Sequence, residues 1–192
     1  MKRKTRNNTG LAARHGEKVR AGSADDLGIF LSLYEETTGR NHIRNHSAVH
    51  FAALFRPESD AEVKLLIAER EGVPLSSMFL SISDDRASYL YGASSSNGRE
   101  HVSTYLLQTT AMMMAKERGA LEYDLFGVAP KGEEHHPLSG LSRFKHGFGG
   151  ERLDRMGCWD YPLKRDRAEL FFRKKDECHP IISDCARPSD VL

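Results

Sequence analysis

The sequence has 192 residues, which suits one domain or one domain plus tails, and 39% are hydrophobic, enough for a packed core and against disorder throughout. Lys and Arg total 28 against 27 acidic residues, so the net charge of +1 does not mark a nucleic-acid binder, and any basic surface must come from local clustering. No apolar run reaches the ~18–20 residues that cross a bilayer. The basic N-terminus lacks the apolar stretch of a signal peptide. Cys158, Cys178 and Cys185 contain no CxxC pair, which argues against a disulfide framework or a structural zinc site. The expectation is a soluble cytoplasmic protein with no metal and no cofactor.

In chain order, residues 1–20 carry Lys2, Arg3, Lys4, Arg6, Arg14, Lys18 and Arg20 against a single acid, Glu17. Two readings stand, a solvated terminus or an anion-contacting helix or arm. Gly10 and Gly16 weaken a long helix here, at roughly 1 kcal/mol each relative to Ala. Ser23 is the predicted cap of a helix over Ala24–Thr38, with Asp25 and Asp26 favoured in its first turn. Leu27, Phe30, Leu31 and Tyr34 recur at helical spacing, and Gly39 is expected to end the helix. A second helix starts at Ser47, with Phe51, Ala52 and Leu54 inward, and stops before Pro57.

The period then changes. Val63–Glu69, Val73–Ser83 and Ala87–Ala93 read as successive strands, with turns at Glu71-Gly72 and Asp84-Asp85. A helix follows from His101 to Arg118, its apolar surface supplied by Val102, Tyr105, Leu106, Met112, Met113 and Ala115. Leu121–Phe126 is a further strand, Ala129–Ser139 a polar loop, Leu153–Leu163 strand-like, and Ala168–Lys175 a short helix. The division expected is a basic segment over 1–20, a domain over 21–177 and a mobile tail over 178–192. The order gives an α+β fold, a mixed and mostly antiparallel sheet flanked by helices, as in acyltransferases of the GNAT type.

Four blocks carry a more specific signal: YLYGASS (Tyr89–Ser95), YLLQTTAMMMAKERGALEYDLFGV (Tyr105–Val128), GLSRFKHGFGG (Gly140–Gly150) and the segment ending WDYPL (Trp159–Leu163). Upstream, KTRNNTGLAARHG (Lys4–Gly16) and ETTGRNHIRNHSAVHF (Glu36–Phe51) extend it. Together they resemble the C-terminal half of the FemABX aminoacyl-tRNA-dependent peptidyltransferases over roughly residues 4–175. Full-length members have two GNAT-like domains, and this chain is expected to hold the second alone. The resemblance implies transfer of an amino acid from aminoacyl-tRNA to the stem peptide of a peptidoglycan precursor, either UDP-MurNAc-pentapeptide or its lipid-linked form. It also implies a missing partner, which is a separate N-terminal half or a second copy of the chain.

Aminolysis of an aminoacyl ester passes through a tetrahedral oxyanion, so it needs alignment and donors aimed at developing negative charge. By the resemblance, Lys145 is the catalytic candidate, set in a glycine-bounded loop, and Phe144 shapes the acceptor channel. Arg40 and Arg44 are candidates for the precursor, since a guanidinium fork binds phosphate or carboxylate in two places. Tyr89 and Tyr91 share a strand face by period two, and by the resemblance Tyr91 is the candidate for lining the acceptor groove. Lys4 and Arg6 are the candidates for tRNA phosphates. His42, His46 and His50 are spaced by four, but the cap at Ser47 divides them, so no metal is assigned. Two other readings remain open: a non-catalytic remnant, and a GNAT-type acyl-CoA N-acyltransferase. The second is disfavoured because Ala93–Val102 has only Gly98 where a glycine-rich pyrophosphate turn is usual.

Overall fold

The computed structural model describes residues 1–41, 45–56, 61–96 and 101–154. Residues Met1–Gly150 form one compact unit and Glu151–Leu192 a second. The strand and helix expected around Trp159–Leu163 and Ala168–Lys175, the tail, His42 and Arg44 lie outside the described residues.

Unit one starts with α1 (Arg3–Arg14) and β1 (Lys18–Gly22), followed by a single 3-10 turn and α2 (Leu27–Asn41). The short α3 (Ala48–Ala53) leads into β2 (Glu62–Arg70), β3 (Val73–Ser83) and β4 (Arg86–Ser94). Then come α4 (Ser103–Glu117), β5 (Glu122–Asp124) and α5 (Ser139–Gly147). The sheet order is β1-β2-β3-β4-β5. The first four strands pair antiparallel; β5 returns parallel to β4 after α4, as a parallel pair requires a crossover.

The two turns of the meander are where the sequence puts them. Glu71 and Gly72 both have positive φ, the combination a two-residue hairpin of matching twist needs. In β2, Leu65, Leu66, Ile67 and Ala68 are all fully buried, so both faces of the sheet are covered. Leu66 and Ala68 pack with Met78, Leu80, Leu107, Ala111 and Ala115 under α4. Leu65 and Ile67 pack on the other face with Phe79 and with Phe30, Leu33, Tyr34 and Phe51 of α2 and α3.

Several local readings change. β1 is a strand inside the basic segment: Val19 packs toward the α4 face, while Arg20 bridges Asp26 at 2.8 Å and Glu69 at 3.0 Å. Its charges masked it as a strand. Ser23 caps as expected and Asp26 reciprocates by accepting from Ser23 N, but the first turn is 3-10 and α2 runs through Gly39 to Asn41. Gly39 keeps a negative φ, and the residues around it are held: Thr38 donates to Tyr34 O at 2.8 Å, and Arg40 is anchored on β4. Ser47 caps α3 and Phe51 is buried, but Ala52 faces solvent. In α4 the buried row is Ser103, Leu107, Ala111 and Ala115, spaced by four; Met113 is exposed. Its small members, Ser103, Ala111 and Ala115, let the helix lie close on the sheet, which a count of large apolar side chains does not reveal. Finally, the stretch expected as a glycine-bounded loop is a helix, α5, over Ser139–Gly147.

Candidate active site

α5 places Lys145 on its buried side, 5% exposed. The ammonium donates to Gly127 O at 2.7 Å and lies 5.8 Å from the centre of the Tyr89 ring. Burial lowers the Lys145 pKa from 10.5 to about 8, and the neighbouring Asp124 charge works against that shift. Two devices fix this geometry. Ser142, one turn before Lys145, accepts from Ala129 N at 2.7 Å and donates to Leu138 O at 2.9 Å, which ties the 125–138 loop and its Gly127 carbonyl to α5. At the far end of α5, Lys2 N donates to Gly147 O at 2.8 Å. Gly147 itself is required, since a Cβ there would stand 2.3 Å from Thr5 Oγ1.

Phe144 stacks edge-on against Tyr105 and Phe148, with centroids 5.1 Å away in both cases. It is half-buried and joins α5 to α4. Beneath Lys145, the Tyr89 hydroxyl lies over Gly92, where a Cβ would meet it at 1.7 Å, and desolvation pushes this phenol up to about 12. On the same face Gln108 Nε2 donates to the Tyr123 hydroxyl at 2.6 Å, and burial raises that phenol too.

Tyr91 is elsewhere. The β3–β4 register slips at Phe79/Leu80: Phe79 pairs with Tyr91 and Leu80 with Tyr89, leaving Leu90 as the extra residue of a bulge. The period-two expectation that the two tyrosines share a face is therefore overturned. Tyr89 joins the cluster under α4, and Tyr91 the cluster under α2 and α3. There the Tyr91 hydroxyl is 2.9 Å from His50 Nε2, and the rings of His46 and His50 stack at 4.6 Å beside it. His46 and His50 are exposed, so this group of imidazoles and phenol faces solvent. Sequence spacing had drawn attention to these histidines only as metal ligands.

Arg40 reaches this end of β4, but its guanidinium is occupied. It donates to Ser96 Oγ at 2.8 Å, to Ser94 Oγ at 3.2 Å and to Ser94 O at 3.3 Å, while Thr37 Oγ1 bonds Ser94 N at 2.9 Å. Its observed work is to pin α2 to the end of β4. Arg44 lies outside the described residues, as does Gly98 of the disfavoured pyrophosphate turn. Lys4 and Arg6 are exposed on α1, the helix packed along α4, where Thr9 and Thr109 hydroxyls meet at 3.2 Å. The candidates thus fall into three places: Lys145 and Phe144 on the α4 side, Tyr91 and Arg40 on the α2 side, and Lys4 and Arg6 on α1. Sequence reasoning missed Gly127 and Tyr89 as the partners of Lys145, because a backbone carbonyl and a bulge leave no side-chain pattern.

Four antiparallel strands, with a bulge in β4, followed by a helical crossover into a parallel β5 define the GNAT-like acyltransferase fold. Solved structures agree. The chain is similar to FemX, with a TM-score of 0.71 and 20% identity over 77% of this chain and 54% of that one. It is also similar to an aminoglycoside acetyltransferase from an uncultured soil metagenomic sample, with a TM-score of 0.53 and 17% identity over 77% of this chain and 97% of that one. The FemAB family model matches residues 58–171, more than half of the sequence, and the chain belongs to that family. Among curated relatives, the lipid II:glycine glycyltransferase of Staphylococcus aureus (strain USA300) is 34% identical over 108 residues, 55% of this chain and 25% of that protein. The chain therefore spans about a quarter of the length of the curated relatives it matches.

Proposed function

We propose that this chain supplies the C-terminal, transfer-centre half of an aminoacyltransferase that moves an amino acid from aminoacyl-tRNA onto a peptidoglycan stem peptide. The observation that carries the reading is the buried Lys145 ammonium, held by Gly127 O inside the stretch the family model covers. A cation kept out of bulk water and fixed by a carbonyl is worth more to a developing oxyanion than a solvated one, because the local dielectric is low and little reorganisation is needed. Phe144 and Tyr105 give that centre an apolar wall. Tyr91 with His50 offers hydrogen-bonding groups for the acceptor on the other side of the bulge.

The donor end of the reading rests on α1. Lys2, Arg3, Lys4 and Arg6 crowd its N-terminus with no acid in the first turn and no side-chain cap. That placement opposes the helix dipole, and phosphates of an RNA acceptor stem would relieve the repulsion. The acceptor is the amine of a nucleotide- or lipid-linked precursor, and a partner half or second copy completes its site. The test is transfer of radiolabelled amino acid from charged tRNA to UDP-MurNAc-pentapeptide or its lipid-linked form. The expected result is label on the precursor, alone or once an N-terminal half is added, and at least ~100-fold less with Lys145→Ala. No transfer under either condition, with the protein folded and a full-length control active, would leave a non-catalytic remnant as the better reading.

A further inference from the structure

The turn between α1 and β1 meets the start of α4 at His15, Glu17 and His101, far along the chain from Lys145. One ligand-capable atom from each of the three lies within 4.8 Å of the others. Glu17 is 5% exposed, and both its carboxylate oxygens and His15 Nδ1 are buried with no hydrogen-bond partner. The His15 and His101 rings stand nearly perpendicular, centroids 6.0 Å apart, a spacing that two imidazoles sharing one ion can adopt. A buried carboxylate without a donor is costly, and it calls for a cation.

From this geometry we propose that His15, Glu17 and His101 bind one divalent transition-metal ion of the zinc type. Two imidazoles and a carboxylate suit Zn²⁺ better than Mg²⁺ or Ca²⁺, which prefer all-oxygen sets. A water or a further group would fill the fourth position. Burial pushes the Glu17 carboxyl up to about 7, and an arriving dication would displace that proton. Arg70 is the competitor. Its Nη1 sits 3.1 Å from His101 Nδ1, and its charge favours the ionised Glu17. Its side chain is 36% exposed and also lies 4.0 Å from Glu71, so it can withdraw toward that carboxylate and solvent when the ion enters. The ion would fasten the first helix-to-strand turn to the N-terminal end of α4, a structural clip rather than part of the transfer centre.

The experiment uses the full chain without an affinity tag, stripped with chelator and titrated with Zn²⁺ by calorimetry and with Co²⁺ by visible absorption. One ion bound in the micromolar range or tighter is expected, with a zinc-dependent rise in melting temperature. His101→Ala and Glu17→Gln should each weaken binding by at least ~10-fold, while Arg70→Ala should tighten it, an effect that loss of folding cannot mimic. Circular dichroism checks each variant, and His15→Ala substitutes for any that does not fold. Wild-type affinity no better than about millimolar, or binding that all these substitutions leave unchanged, would overturn the proposal.

Discussion

At the scale of single residues, Lys145 sets two measurable pH dependences. Its folded pKa of about 8 lies below the ordinary 10.5, so between those values the unfolded chain holds the proton more tightly. Stability therefore rises with pH across that window, and the cost of burying the charge is fully present below pH 8. Urea melts at pH 7 and pH 10 should show this rise in the wild type and its loss in Lys145→Met. The proposed transfer should run the other way, since in it the charged form would meet the oxyanion. Its rate should fall as pH climbs through about 8 in the wild type and stay level to higher pH in Lys145→Arg. A rate that rises through pH 8 only when lysine is present would make Lys145 a base instead. Gly147 gives a packing test: Gly147→Ala should cost about 1–3 kcal/mol by driving a methyl into Thr5. Removing Oγ1 with Thr5→Ala should recover most of that loss in the double variant, measured by chemical denaturation.

At the scale of elements, α1 shows how tertiary packing overrides propensity. Gly10 and the crowded N-terminal cations both weaken it, yet Thr5 and Ala12 are buried and the helix lies against α4 and α5. Gly10 has an ordinary helical φ, and a Cβ there would meet only Arg14 Nη1 at 3.5 Å. Gly10→Ala should therefore raise stability by about 0.5–1 kcal/mol in a thermal or urea melt. A neutral or destabilising result would mean that α1 is frayed in solution. The β4 bulge works at the same scale. One extra residue, Leu90, sends the two tyrosines of a single strand to different clusters, with Tyr89 beneath Lys145 and Tyr91 beside His50.

At the scale of the whole molecule, among the described residues both core clusters are built from Met1–Gly150. A chain ended after Gly150 should melt cooperatively; a broad transition would show that the unit depends on residues beyond Gly150. Net charge is only +1, so the proposed RNA contact rests on local clustering, for which the exposed α1 cations are the candidates. Replacing Lys4 and Arg6 with alanine should weaken aminoacyl-tRNA binding and lower its log–log salt slope by roughly 1 for each phosphate no longer neutralised. An unchanged slope would remove α1 from the donor site.

The sequence by itself determined the meander. The strand-forming runs of β2 to β4, the Glu71-Gly72 turn and the Ser23 and Ser47 caps are local signals, and each is where its residues put it. The YLYGASS and RFK blocks were legible for the same reason, since they are contiguous, and both lie inside the stretch the family model matches. What only the tertiary structure decided depends on partners distant in sequence. β1 exists because Arg20 finds Glu69 and Val19 finds the α4 face; α5 is a helix because α1 and Ala129 satisfy it from outside. Arg40 became a strut because its fork meets Ser94 and Ser96 before any substrate. The split between Lys145 and Tyr91 follows from one inserted residue in a ladder, which no spacing rule detects. The orphaned carboxylate of Glu17 likewise appears only once His15, His101 and Arg70 are folded around it, because burial is a property of the packed molecule and not of the chain.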